Sequence, residues 1–470
     1  MNGALNGQRS ALHANSEFKG AEYSNLVAKD IHTINGMEVD GDVTAIIEEQ
    51  VIPTLKDGHS IAVQSESVKD LASTTSILTV AERDCIMHTV WNPNPQKCIL
   101  ASGGIALCQL HHLANAMSTV DPSRSSILHP QDTSLVTCIA WHPGGQVLAI
   151  ATRTDASEFT GNVSIWTENG QSIDDLAAGR DMVIKLCFST DGSLLLGITA
   201  SGDELSSLIV WIVESGEIFA LIHCDQVINH ATWSGAASIA VCGQGSIGRL
   251  DLSGERAIIW AQKSNNQITE RNWSHVFANP NDGSIILFDE ESAYAVVINS
   301  YGAIDKLQQI HNDSITGISC GASFDLSRSS PIIVTSSLDG TVKIFHINGL
   351  QPISTLVFGD GAPPLTVALN QGASLLAAAN HNKVLVWDSS GSRIPVGIWQ
   401  GDLGKNTKGQ MTNGHADKDS GIGDESEDGL SESDISLDWD ATGTRLALGL
   451  GNQACIVCSK AAPCFTDVRM

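Results

Sequence analysis

Ile139-Ala140-Trp141-His142-Pro143-Gly144-Gly145, followed by the apolar pair Leu148-Ala149, is the stretch whose reading decides the fold. An apolar run alternating into a large aromatic, a Pro/Gly break and a second apolar run reads as strand, turn, strand. The form recurs as Thr89-Val-Trp91-Asn-Pro with Ile99-Leu100-Ala101, Leu186-Cys-Phe188-Ser-Thr-Asp-Gly with Leu195-Leu196, and Ala231-Thr-Trp233-Ser-Gly with Ile239-Ala240. It continues as Val276-Phe277-Ala-Asn-Pro with Ile285-Ile286, Ile318-Ser-Cys320 with Ile332-Ile333, Val367-Ala-Leu369-Asn-Gln-Gly with Leu376-Ala377, and Leu437-Asp-Trp439-Asp-Ala-Thr-Gly with Leu446-Ala447. The anchor residues lie 50, 47, 45, 44, 43, 49 and 70 positions apart, a period that marks a repeat architecture.

Within each unit, apolar runs of four to seven residues are bounded by Gly, Asn, Asp and Ser, and many units close on a strand ending in a large side chain: Val163-Ser-Ile-Trp166, Leu208-Ile-Val-Trp211, Val342-Lys-Ile-Phe345 and Val384-Leu-Val-Trp387. A four-stranded unit of this size cannot bury both its faces alone, whereas radial stacking buries them and leaves only short edges, which is the β-propeller solution. Eight anchors predict an all-β, eight-bladed propeller. Closing a ring without an open sheet edge requires one terminus to complete the blade built by the other. Thr75-Ser-Ile-Leu-Thr-Val80 is the expected outer strand of the last blade, which ends near Cys455-Ile-Val-Cys458.

The 470 residues carry 52 Asp+Glu against 26 Lys+Arg, a formal charge of -26, and this excess argues against nucleic acid and anionic membrane as direct ligands, since both require Lys/Arg on phosphate. Residues 1–70, with eleven acidic and five basic positions, are expected to form a mostly disordered arm ahead of a propeller over 71–470, with one short helix at 42–51. An acidic insertion at 401–434, expected to be disordered, explains the longest anchor spacing, and Ser426, Ser431 and Ser433 lie beside its carboxylates as candidate sites for an acid-directed kinase. Absence of an apolar span or a leader pattern reads as an intracellular chain.

Chemical motifs are few. Gly243-Gln-Gly245-Ser-Ile-Gly248 matches a dinucleotide fingerprint literally, but the Arg249-Leu-Asp-Leu252 that follows is strand-like where a helix is needed, so the glycines are assigned to a turn. Cys455-x-x-Cys458 has no second pair or nearby histidines and is read as strand filling, like the other cysteines inside apolar runs. Adjacent His111 and His112 would point to opposite faces of a strand. No catalytic, cofactor or metal site is assigned, and the chain is expected not to be an enzyme.

These units resemble WD repeats. The closing Trp-Asp is complete at Trp387-Asp388, and the best unit has His311, Thr335, Asp339-Gly340 and Phe345 at the positions of that family's His–Ser/Thr–Asp–Trp hydrogen-bond relay. Phe345 cannot donate, so the relay is at most three-membered. Met37-Glu-Val-Asp-Gly-Asp-Val43, Val90-Trp-Asn-Pro93 and Ser164-Ile-Trp-Thr-Glu-Asn-Gly170 make the chain similar to the transducin beta-like family of WD-repeat corepressor subunits, which includes a fungal deacetylase-complex member. Two departures stand out: residues 1–36 lack the family's LisH dimerisation motif, which leaves oligomeric state open, and most units lack the Gly-His and Asp-Gly signatures. The resemblance implies a nuclear, non-catalytic scaffold that holds a corepressor subunit and a class I histone deacetylase, with histone tails as further partners of an acidic surface. Asp132, Asp225, Asn312, Asp313 and Asp360, near the starts of blades, are the candidate partner-binding residues. A substrate receptor of a ubiquitin ligase or a trafficking adaptor is the alternative, although no adaptor-binding segment such as an F-box is found.

Overall fold

The computed structural model describes residues 68–71, 75–79, 86–105, 108–113, 125–128, 135–153, 161–178, 181–200, 205–252, 258–262, 266–321, 331–359, 361–389, 392–400, 435–450 and 453–458. The chain divides at Gln64/Ser65, and all described residues belong to the second unit. The expected helix at 42–51 and the acidic stretch at 401–434 lie outside them.

Each repeat anchor lies at or within two residues of the end of the inner strand of a sheet that then runs outward through three more antiparallel strands. Blade one is Ile86–Trp91, Ile99–Gly104, Cys108–His112 and Ser126–Leu128; blade two is Leu135–Trp141, Val147–Arg153, Gly161–Thr167 and Ser172–Leu176. Blade three comprises Met182–Phe188, Leu194–Ala200, Ser206–Ile212 and Ile218–Cys224, and blade four Ile228–Gly235, Ser238–Gly243, Ser246–Asp251 and Ile258–Gln262. Blade five has His275–Ala278, Ile285–Asp289, Tyr294–Ile298 and Ile304–Gln309; blade six has Ile315–Gly321, Ile332–Ser337, Thr341–His346 and Pro352–Val357. Blade seven, Thr366–Leu369, Leu375–Ala379, Lys383–Asp388 and Gly397–Gln400, gains a fifth strand, Lys69–Asp70, parallel to Gly397–Gln400.

The expectation of eight equivalent blades is corrected to seven. Seven sheets each draw their four consecutive strands from one continuous stretch, and the remaining sheet is a composite that closes the ring. It takes Ile435–Trp439, Arg445–Leu450 and Gln453–Cys458 from one end of the chain and Thr75–Thr79, antiparallel to Gln453–Cys458, from the other. Interlocking the ends in one sheet pairs an edge that would otherwise stay open. Lys69–Asp70, at the end of the stretch expected to form the arm, pairs with blade seven.

A second difference concerns the strands ending at Trp166, Trp211, Phe345 and Trp387. They are third strands, and a fourth follows each. The outer strands carry little apolar signal because they face solvent: Ser172–Leu176 is exposed except at Leu176, and Ile304–Gln309 has no fully buried residue. Inner strands show the opposite, as Leu135–Trp141 alternates between buried and half-buried positions. The apolar core is a set of clusters between neighbouring sheets, as where Val183, Phe188 and Trp211 of blade three meet Ala149, Val163 and Ile165 of blade two. The turn after the anchor needs a left-handed residue, supplied by Gly145 (φ 71°) in blade two. In blade seven Ala373 (φ 49°) takes that place, one residue past Gly372.

The anchors also explain why the repeat uses tryptophan. Trp141, Trp233 and Trp439 each donate the indole N–H to a carbonyl of the preceding sheet's inner strand: Val90 O at 3.1 Å, Cys187 O at 3.0 Å and Ala368 O at 3.2 Å. In each case the acceptor immediately precedes the neighbouring anchor. At the other end of the inner strands the register shifts between Val136 and Cys138, Ile228 and His230, and Ile315 and Gly317, and these bulges aim a polar side chain at the next blade. Thr137 donates to Val183 O (2.6 Å), Asn229 to Trp273 O (2.9 Å) and Thr316 to Pro364 O (2.8 Å).

Candidate interaction face

The loops that lead from the outer strand of one blade to the inner strand of the next present the candidate residues. Asn312 and Asp313 sit between Ile304–Gln309 and Ile315–Gly321, and Asp225 between Ile218–Cys224 and Ile228–Gly235; all three side chains are exposed. Asp132 and Asp360 lie outside the described residues.

Blade six holds its loop through a buried network. His311 Nδ1 lies 3.0 Å from Asp339 Oδ2 and Nε2 2.7 Å from Thr335 Oγ1. A carboxylate only accepts, so Nδ1 carries the proton and Nε2 accepts from the Thr335 hydroxyl. The same carboxylate accepts the Thr341 hydroxyl (2.6 Å) and the backbone N–H of Asn312 (3.1 Å), and Ser337 donates to the Asp313 carbonyl (2.9 Å). Phe345 is buried beneath this network and gives it no donor.

The electrostatics follow from these contacts. Burial lowers the His311 pKa, outweighing the opposite pull of Asp339, so the ring is neutral at pH 7. Burial alone would raise Asp339, but hydrogen bonds from Thr341 and the Asn312 N–H, together with His311, hold its carboxyl down at about 2. A permanent carboxylate therefore clamps the backbone of the loop that displays Asn312 and Asp313. The network positions the loop and leaves no group free to act as a base.

Other nucleophiles and ligands are silenced by packing. Burial pushes the Cys108 and Cys320 thiols up to about 12 and raises Cys138, Cys187 and Cys242, while Cys224 reaches about 11 through burial and the adjacent Asp225 charge. The strand Gln453–Cys458 is placed, but the side chains of Cys455 and Cys458 lie outside the described set. His111 is buried against Ser102 Oγ (2.9 Å), and burial, with His112 adding to it, lowers its pKa to about 4. Among the described residues no His/Cys/Asp/Glu group is arranged to hold a metal. Gly243–Gly248 spans the hairpin between Ser238–Gly243 and Ser246–Asp251, with Gly245 at φ 64° and no helix following.

Several residues that matter escaped the sequence reading. Trp273 is fully buried and packs with Ile268, which lies on the short helix Asn266–Thr269, the one helix among the described residues; no periodicity surrounds it. Asp438 is the second. Its Oδ2 accepts the Trp91 backbone N–H at 2.7 Å across the joint between the closing sheet and blade one, and burial raises its pKa to about 7. Its place immediately before an anchor was the available signal.

Comparison with known proteins agrees with this architecture. The family described as "WD domain, G-beta repeat" matches residues 123–167 and 306–346, the latter containing His311, Thr335 and Asp339. The solved C-terminal WD40 domain of Sif2 superposes with a TM-score of 0.59 at 16% identity, covering 83% of this chain and 99% of that one. Matching chains among solved structures number 1462, so the likeness identifies a widely shared fold and no particular activity. Among curated proteins none matches the sequence. No enzyme family is indicated by these comparisons.

Proposed function

Taking the chain as a WD40-repeat propeller, we propose that it is a non-catalytic protein-interaction scaffold of a nuclear histone deacetylase corepressor complex. It would hold a corepressor subunit and a class I deacetylase, and offer its acidic loops to histone tails. The observation that carries the reading is the exposed, network-anchored loop of blade six, with Asn312 and Asp313 displayed and Asp225 on the equivalent loop of blade four, in a chain of net charge -26. A rigid acidic loop attracts basic segments at long range with little ordering cost on binding. The corepressor setting rests on the sequence resemblance at residues 37–43, 90–93 and 164–170. Affinity purification of the tagged chain from nuclear extract, followed by mass spectrometry, tests it: a deacetylase with its corepressor is the expected catch. Recovery of ligase or coat subunits in their place overturns the assignment.

A further inference from the structure

Lys185 lies half-buried in the inner strand of blade three, Met182–Phe188, in a chain with 52 acidic residues against 26 basic ones. The inner strands of blades three, four and five stand side by side. The groups on which Lys185 acts electrostatically come from three blades: Cys138 of blade two, Cys187 of its own strand and His230 of blade four. None of them balances its charge. Burial raises both thiol pKa values and so keeps the thiols protonated; burial, with Lys185 and His275 adding to it, holds the His230 imidazole neutral. Among the described residues no carboxylate forms an ion pair with Lys185.

The neighbouring histidine has a deficit of its own. His230 is 8% exposed, and its Nδ1 is buried without a hydrogen-bond partner, where native chains pair nearly all such atoms. Its ring centroid stands 4.9 Å from that of His275 and 6.1 Å from that of Phe277, two rings of the blade-five inner strand that stack on each other at 6.3 Å. Glu290 is the carboxylate at this cluster, and it is already engaged by His275 Nδ1 at 3.1 Å. Cys242, beside the backbone of His230, is kept protonated by burial. An uncompensated cation and an orphaned ring nitrogen thus meet in an acidic molecule that places no free carboxylate between them.

We infer that Lys185 and His230 form an oxyanion site at the inner strands of blades three and four, which takes a phosphate or carboxylate group from a ligand. Lys185 supplies the charge and up to three N–H donors, and the neutral His230 ring supplies one more. His275 and Phe277 wall the site on the side of blade five, where Glu290 disfavours a second anionic group. The site uses none of Asp225, Asn312 and Asp313, and it stands or falls independently of the deacetylase assignment.

Calorimetric titration of the full chain with inorganic phosphate and, separately, with succinate, both at constant ionic strength, tests it. One saturable site with a Kd of about 1 mM or tighter is expected for at least one probe, even though the net charge of -26 repels both. The tighter binder identifies the source of the oxyanion. Lys185→Gln should weaken binding at least about tenfold, while its unfolding midpoint matches or exceeds that of the wild type because an unpaired charge has been removed. In the wild-type chain the better probe should move the imidazole resonances of His230 and His275 and leave those of His111, in blade one, in place. Binding of neither probe, equal affinity in Lys185→Gln, a static His230 resonance or a markedly lower midpoint for Lys185→Gln overturns the proposal.

Discussion

Trp141 and Trp91 occupy the same repeat position yet should respond differently to the same substitution. Both are buried, at 8% and 3% exposure, so replacing either indole by a phenyl ring removes a similar apolar area. Trp141 Nε1 donates to Val90 O, whereas Trp91 Nε1 is buried without a hydrogen-bond partner. Trp141→Phe therefore deletes a hydrogen bond worth about 1 kcal/mol net. Trp91→Phe deletes a polar group that was already desolvated and unpaired, and the relief offsets part of the lost packing. The expected difference is about 1 kcal/mol or more, with Trp141→Phe the more harmful. Urea denaturation followed by far-ultraviolet circular dichroism, with both variants measured against wild type under one buffer, reads it directly. Equal midpoints for the two variants, or a larger loss for Trp91→Phe, would refute the claim that the indole bond joins the blades.

Three further outcomes are expected. With a folded pKa of about 4 against an ordinary value near 6.5, His111 binds its proton more weakly in the folded chain, so stability is complete above pH 6.5 and falls as pH drops toward 4; the loss is ~2 kcal/mol at pH 5. His111→Asn should flatten that part of the stability profile, and an unchanged slope refutes it. Asp438 has the opposite sign: its raised folded pKa means stability is complete below pH 4 and is lost as pH rises through 7, so Asp438→Asn should raise the unfolding midpoint at pH 8 relative to pH 6, as calorimetry will show. Asp339→Asn removes the carboxylate that accepts the Asn312 N–H, and hydrogen exchange at Asn312 should accelerate without matching changes in blade two.

The inner half of each blade was legible because its residues obey two constraints at once. Burial between neighbouring sheets fixes apolar identity, and the inter-sheet hydrogen bond fixes an aromatic with a donor, so the anchors at Trp141, Trp233 and Trp439 stood out. The outer strands obey neither constraint, which is why a strand such as Ser172–Leu176 left no trace and third strands were read as closing ones. The blade count failed for a related reason. Anchors count inner strands and cannot tell a blade of continuous chain from a sheet assembled from both ends. At the loops, His311, Thr335 and Asp339 were placed through the resemblance to the WD-repeat relay, whereas Asp438 makes a contact across 347 positions whose only local trace is its place before an anchor. Ala373 shows the reverse: Gly372 advertised the turn, and the left-handed conformation fell on its neighbour.

The composite closing sheet imposes an order of events on biosynthesis. Thr75–Thr79 emerges from the ribosome before any of the seven continuous blades is finished, while its partner Gln453–Cys458 is made after all of them. At ~5–20 residues per second the early strand waits on the order of 20 to 75 seconds without a mate. The seven continuous blades can stack as they appear, but the circle cannot lock until Gln453–Cys458 has been made. A transcript truncated before residue 453 would thus yield an unsealed arc with two sticky edges, a natural client for chaperones and quality-control proteases.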